Sequence, residues 1–302
     1  MGEENANKKN KLLRLVTGVV ISIISLGAIV CGGAYLFALL LVIITLCSKE
    51  FVEILRHKGF HPSLTIVLFF AIVFATLTFF HRFDMVSSML TLTIMASFLV
   101  VLFRGRQPYI VNVATTILGA LYCGWLPCHL LLIRQIGLNR VSAFQFEFNQ
   151  GLFLLIMVFV AIALTDIGAY YFGVRFGKHK LAEVVSPKKT IEGAIGGALC
   201  AILSSAIAVF YTDLTLLEAV VGGFIITVSA QLGDLSESLI KRDAGVKDSS
   251  DILPGHGGML DRFDGYIFAI PVAYYYFMHF TLGNNVLIDF VNYLKGVINV
   301  FF

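Results

Sequence analysis

Charge is scarce in this chain. Of 302 residues only 14% are Asp, Glu, Lys or Arg, while 58% are hydrophobic. Roughly a quarter would be charged in a soluble domain, so an ordinary globular class is excluded. Cysteine is also sparse and unpatterned. Cys31, Cys47, Cys123, Cys128 and Cys200 lie in or beside apolar runs without metal-ligand spacing, so they read as small buried apolar residues. The chain lacks a Walker-type phosphate loop, a kinase glycine loop and a Gly-x-Ser-x-Gly elbow. It shows no convincing internal repeat. These absences remove the commonest phosphate-binding and serine-nucleophile enzymes, and leave the apolar runs and a few concentrated charges.

A helix needs about 20 apolar residues to cross a bilayer. Runs of suitable composition lie near 12–31, 34–48, 64–80, 86–103, 109–133, 150–173, 191–211, 218–240 and 263–281. The fold class expected is an all-α polytopic membrane protein of about nine transmembrane helices. The first run follows Lys8, Lys9, Lys11 and Arg14, and Cys31-Gly32-Gly33 leads almost directly into the second, so it reads as a retained anchor rather than a signal peptide. The stretch 285–302, interrupted by Asp289, Asn292 and Lys295, reads as an interfacial helix. Ser48–Pro62 reads as an amphipathic linker, either lying on the inner leaflet or solvated. With the N-terminus cytoplasmic, the outside segments carry only Arg82, Arg134, Arg140 and Lys295 of all the lysines and arginines. That bias satisfies the positive-inside rule and puts the tail outside. Residues 1–130 are nearly plain spans. The remainder, 131–302, forms a second region whose 150–270 part holds intramembrane acids, glycines and basic loops.

Lipid tails cannot solvate charge, so charges inside spans must pair, bind metal or line a wet cavity. Asp234, Glu237, Ser238 and Lys241 stand at helical spacing on one face, as do Asp261 and Asp264. Together with Asp166 they could assemble an oxygen-only cluster suited to Mg²⁺, completed by substrate phosphates. The same acids could instead be braced by Lys241, Arg242 and Arg262 as structural pairs. Ser186-Pro187-Lys188-Lys189-Thr190-Ile191-Glu192-Gly193 places two lysines just before a helix that Thr190 would cap, which makes an anion site; a plain juxtamembrane basic flank is the alternative. Pro254-Gly255-His256-Gly257-Gly258 offers backbone amides and a histidine to phosphate. Phosphates at a carboxylate cluster ringed by cations imply phosphoryl or nucleotidyl transfer at the inner membrane face.

Ser238-Leu-Ile-Lys241-Arg242, four residues, Lys247-Asp248, then Leu253-Pro254-Gly-His256-Gly257-Gly258-Met-Leu-Asp261-Arg262-Phe-Asp264 resembles the signature of phosphatidate cytidylyltransferases (CDP-diacylglycerol synthases). Ser186–Gly193, Asp166 with Gly168 and Tyr170, Gln231-Leu-Gly-Asp234, and Ala114–Tyr122 also look like that family. The resemblance covers about 104–270; the first four spans match in hydropathy alone. It implies that CTP and phosphatidate give CDP-diacylglycerol and pyrophosphate without a covalent enzyme intermediate. Asp234, Asp261 and Asp264 would hold Mg²⁺, with Asp166 as a further candidate or a brace for Lys189, and a monovalent cation such as K⁺ would be a second ion. Lys188, Lys189, Lys241 and Arg242 would neutralise the phosphates. Thr190, Ser238, Lys247, His256, Gly257, Gly258 and Arg262 would complete the substrate contacts. The partners implied are CTP, phosphatidate and the bilayer, with a homodimer allowed by the fold and no nucleic acid. The expected location is the bacterial cytoplasmic membrane.

Two other readings compete. A CTP-using relative could act on an isoprenoid lipid, as a cytidylyltransferase or a polyprenol kinase. From another class, Asp166, Asp234 and Glu237 could serve a cation-coupled transporter. The charges crowd one end and the basic loops have no opposing counterpart, which favours the enzyme.

Overall fold

The computed structural model of the chain describes residues 2–137, 149–253, 255 and 257–281. Continuous apolar sequence becomes helix because a helix satisfies every backbone donor and acceptor within itself. The described chain accordingly runs α1 (Gly2–Cys31), α2 (Gly33–His57), α3 (Leu64–Phe79), α4 (Val86–Arg104), α5 (Tyr109–Gly119), α6 (Leu126–Gln135), α7 (Gln150–Phe176), α8 (Ile191–Ile207), α9 (Leu216–Asp243) and α10 (Leu260–Tyr276). A wide helical turn, Ala120–Trp125, joins α5 and α6 into one rod. Every apolar run read from the sequence lies on a helix. Six helical stretches among the described residues are long and apolar enough to cross a membrane: Gly33–His57, Phe83–Arg104, Tyr109–Gln135, Gln150–Phe176, Ile191–Phe210 and Leu216–Asp243. The apolar part of α1, Val16–Cys31, and α3 are shorter. The expected helix at 285–302 and the charges Arg140 and Lys295 fall outside the described residues.

Helix ends follow local chemistry. Asn149 caps α7 through Leu152 N (3.0 Å). Thr190 caps α8 through Gly193 N (3.1 Å), as its position before Ile191 predicted. Thr215 and Glu218 form a reciprocal capping box at α9. One element is not helical. β1 (Lys180–Ala182) and β2 (Ser186–Thr190) form a short antiparallel hairpin between α7 and α8, which the all-α reading missed.

Small residues let α7–α10 come close enough for polar groups to meet. A Cβ on Gly197 would stand 2.5 Å from the Thr165 carbonyl, and one on Gly233 would stand 2.7 Å from that of Asp264. The second contact brings Asp234 against the start of α10. Thr165 Oγ1 bonds Thr227 Oγ1 (2.8 Å), and Gln231 donates to the Ala194 carbonyl (3.2 Å), which ties the α7, α8 and α9 helices together.

The sequence placed the end of the second span at residue 48 and a surface linker beyond it. Instead α2 continues unbroken to His57, and Ser48, Glu50, Phe51 and Val52 are buried. Of the charges that looked like a boundary, Glu50 is absorbed by partners in the fold, while Lys49, Glu53 and Arg56 stay on the exposed face of the helix. Arg134, counted among the outside charges, is likewise buried at the end of α6. It donates to the Ile29 carbonyl (3.1 Å) and to Asn149 Oδ1 (2.8 Å), so it joins three helices and is not a flanking charge.

Candidate active site

Asp166 on α7, Asp234 on α9, and Asp261, Arg262 and Asp264 on α10 line one small cavity of about 300 Å³. The helical spacing read from sequence therefore does bring these acids together. Their surroundings differ. Asp234 pairs with Lys189 of β2 and accepts Ser238 Oγ at 3.4 Å. Asp264 Oδ1 accepts the Gly265 amide at 2.6 Å, and its other oxygen has no hydrogen-bond partner among the described residues. Asp261 is fully engaged. Its Oδ1 takes Lys241 Nζ at 2.6 Å, and its Oδ2 takes Ser249 N (3.0 Å), Ser249 Oγ (2.9 Å) and Gly258 N (2.9 Å).

Lys241 sits between two carboxylates, Asp261 and Glu237, each at 2.6 Å, and its side chain is 10% exposed. Glu237 is wholly buried. The expectation that Lys241 neutralises a triphosphate meets a physical obstacle here, because its charge is already spent on a buried triad. Removing Lys241 would strand two carboxylates in a low dielectric.

The other lysines expected at phosphate lie elsewhere. Lys188, Lys189 and Thr190 on β2, with Lys180, line a cleft of about 590 Å³ that also touches Asp166 and Asp234. The hairpin holds this basic strand over the N-terminus of α8, where Gly193 and its neighbours present the helix's positive end. Glu192 ties the turn before the hairpin down, accepting Lys178 N at 3.0 Å and His179 Nδ1 at 2.6 Å.

The segment 249–260 is positioned by a residue the sequence reading overlooked. Glu50 of α2 accepts Ser249 Oγ (3.1 Å), Ser250 Oγ (2.6 Å), Met259 N (2.9 Å) and Leu260 N (2.6 Å). α10 has no capping side chain of its own, and Glu50 supplies one from another helix. Gly258 permits this approach: a Cβ there would fall 1.8 Å from Ser249 Oγ and 2.7 Å from Glu50 Oε2. Gly257 has φ +81°, a left-handed backbone that favours glycine. A glutamate among the mixed charges at a span's end carried no local signal of a partner.

Other predicted residues are placed differently. Arg242 donates to the carbonyls of Val185 (3.3 Å) and Val246 (3.2 Å), so it braces the hairpin against the end of α9. Lys247 is exposed, and no side-chain hydrogen bond or ion pair joins it to another described residue. His256 lies outside the described residues. Arg262 is exposed and reaches a third space, an apolar groove of about 470 Å³ between α1, α2, α7 and α10.

The donors around the acidic cavity are oxygen only, which suits a hard cation such as Mg²⁺. Among the described residues, no three Asp, Glu, His or Cys side chains converge closely enough to hold an ion unaided. That fits an ion shared with substrate phosphates, for which Asp264 keeps an oxygen unpartnered among the described residues and Asp234, though engaged by Lys189 and Ser238, stays 31% exposed, whereas Asp261 is enclosed.

Comparison with known proteins agrees with this chemistry. A cytidylyltransferase family model matches residues 12–280. A phosphatidate cytidylyltransferase of Synechocystis is 32% identical over 282 residues, covering 87% of this chain and 95% of that protein. One from Staphylococcus haemolyticus is 33% identical over 272 residues, covering 86% and 96%. One from Staphylococcus aureus strain COL is 42% identical over 145 residues, 47% of this chain and 55% of that protein. The chain belongs to the cytidylyltransferase family, and so to the nucleotidyl-transferring enzymes. The resemblance drawn from Ser238–Asp264 is borne out.

Proposed function

We propose that this chain transfers the cytidylyl group of CTP to phosphatidate, giving CDP-diacylglycerol and pyrophosphate. One observation carries the reading. The acidic cavity shares Asp166 and Asp234 with the basic cleft, and Ala163, Arg262 and Tyr266 with the apolar groove. A nucleotide side and a lipid side thus meet at the carboxylates.

CTP lies in the cleft, its phosphates against Lys188 and Lys189 and the N-terminus of α8. The acyl chains occupy the groove, which leaves the phosphatidate headgroup at Arg262. A phosphate oxygen of phosphatidate attacks the α-phosphorus in line, and the bond to the β-phosphate oxygen breaks, pyrophosphate leaving with the electron pair. The attacking phosphate is already ionised near neutral pH, so no strong general base is needed. The chain's own contribution is alignment and charge neutralisation. Bound Mg²⁺, held by Asp234 and Asp264 with Asp166 beside them, would add further neutralisation of the transferring phosphates. A monovalent cation such as K⁺ would sit near the same acids. Asp261 and Lys241 hold the end of α9 to the start of α10 and so set the distance between Asp234 and Asp264.

The same reading has α1, α3 and α10 crossing the bilayer with the six longer stretches, which makes nine spans. The Lys/Arg bias supports a cytoplasmic active site in a bacterial inner membrane, and assembly as a homodimer belongs to the reading too. Purified protein in detergent, given radiolabelled CTP, Mg²⁺ and phosphatidate, should yield labelled CDP-diacylglycerol that EDTA abolishes. Product from a polyprenol or its phosphate but none from phosphatidate would keep the chemistry and replace the lipid. Inertness with every lipid would overturn the proposal.

A further inference from the structure

A fourth space lies apart from the catalytic ones. It measures about 600 Å³ and is lined by Arg56 from the last turn of α2, Arg104 from the last turn of α4, Arg106 from the loop before α5, and His61 and Asn112. It shares no lining residue with the acidic cavity, the basic cleft or the apolar groove. It opens at the same end of the molecule, because Lys58, two residues past Arg56, bonds Asp243 at the end of α9 at 2.8 Å.

Basic residues at helix ends are usually solvated flanks obeying the positive-inside rule. Three features set this group apart. The arginines come from two segments, Arg56 in the last turn of α2 and Arg104 and Arg106 on either side of the Gly105 turn after α4, yet they converge on one space, and no carboxylate lines it. None of the three side chains makes an ion pair or side-chain hydrogen bond with another described residue, so their mutual repulsion goes unanswered within the fold. The walls are also fixed. Asn112 is 1% exposed, accepts His61 N at 2.7 Å and donates to the Arg106 carbonyl at 3.0 Å. Ser63 N is held by Thr116 Oγ1 at 3.0 Å.

Apolar residues frame the arginines. Leu102 and Phe103 precede Arg104 and are 72% and 84% exposed, and Ile110, four residues past Arg106, is 84% exposed. A cationic pocket beside lipid-facing side chains matches an amphiphile whose head is anionic. We infer that this cavity binds the phosphate headgroup of an anionic membrane phospholipid, at a site separate from the catalytic one. Guanidinium groups suit the task through paired donation to phosphate oxygens, and basic pockets between membrane helices recognise such heads.

The test uses the full chain, purified in a non-ionic detergent, with retained lipid measured by native mass spectrometry. Phosphatidylglycerol should be held at least about tenfold more tightly than phosphatidylcholine, since each arginine near the surface contributes about fivefold. Arg56→Gln/Arg104→Gln/Arg106→Gln should reduce that preference to about twofold or less, and Arg104→Gln alone should lower it about fivefold. CTP-dependent turnover with phosphatidate as the sole anionic lipid should be unchanged in the triple variant. Equal retention of phosphatidylglycerol by wild type and triple variant would overturn the inference. Displacement of the lipid by millimolar inorganic phosphate would replace the lipid with a free phosphate ligand. Loss of turnover in the triple variant with lipid retention intact would assign the cavity to catalysis instead. Failure of the proposed cytidylyl transfer would leave the binding result standing.

Discussion

Glu50 accepts the Leu260 amide at 2.6 Å and the Met259 amide at 2.9 Å, so the first turn of α10 is closed by a carboxylate from α2. The two helices are far apart in sequence, yet the position of Asp261 and Asp264 depends on this contact. Hydrogen bonds to a charged acceptor contribute about 1.5–3 kcal/mol each, and leaving buried amides unpaired costs a similar amount. Glu50→Ala should therefore lower the midpoint of thermal unfolding and reduce turnover at least tenfold. Glu50→Gln, which turns an NH₂ group toward amide donors, should lose most of the activity while inserting normally. The affinity for CTP should change less than kcat, because the lysines of β2 are untouched. A Glu50→Gln protein with wild-type kcat would show that the 249–260 segment is held by other means.

Asp264 and Asp261 should fail in different ways. Asp264→Asn removes a carboxylate that keeps an oxygen for an ion, so activity should fall by at least two orders of magnitude and residual activity should require more Mg²⁺. Folding stability should hold, because no buried cation loses its partner. Asp261→Asn also abolishes activity but weakens four hydrogen bonds, so its unfolding midpoint should drop, by about 1–3 kcal/mol in free energy. Activity against Mg²⁺ concentration, measured beside thermal unfolding, separates the two. An Asp261→Asn protein as stable as wild type with a shifted Mg²⁺ requirement would make Asp261 a ligand.

Lys189 and Lys241 both touch acids, but one is reachable and the other is enclosed. The Lys189 side chain is 29% exposed and lines the cleft; that of Lys241 is 10% exposed between Glu237 and Asp261. Lys189→Met should raise KM for CTP about tenfold and leave stability nearly unchanged. Lys241→Met strands two carboxylates and should destabilise by about 3–5 kcal/mol. Calorimetry or a detergent-based unfolding assay, run beside CTP titrations, checks both. Equal loss of stability in the two variants would contradict the distinction.

The helices and the signature residues were legible because both are written locally. Apolar runs of span length and carboxylates at helical spacing need no knowledge of tertiary contacts. The convergence of Asp166 with Asp234 and Asp264 followed from residue type, since acids in lipid must meet something. What was not legible depends on partners distant in sequence. Glu50 looked like the end of a span because its four donors lie about 200 residues away. Lys241 was assigned to phosphate by the family resemblance; its place four residues after Glu237 already allowed a structural pair, but nothing local revealed that Asp261 would complete the enclosure. Arg134 counted as a flanking charge for the same reason. The β1–β2 hairpin escaped because three- and five-residue strands bearing lysines carry no apolar alternation.

Gly258 gives the narrowest test of the loop's geometry. An alanine there would place its Cβ 1.8 Å from Ser249 Oγ and 2.7 Å from Glu50 Oε2, and neither neighbour can retreat without breaking bonds to Asp261 or the α10 amides. Gly258→Ala should thus abolish turnover and lower the unfolding midpoint. Ser249→Gly added to it should restore stability only in part, because the clash with Glu50 remains. Gly27→Ala is the matched control: its Cβ meets nothing within 4 Å, and a helical position should gain up to about 1 kcal/mol from the change. Turnover and thermal unfolding of the three variants, measured side by side, decide the matter. Wild-type activity in Gly258→Ala would mean that Glu50 and Ser249 do not hold the loop at the distances described.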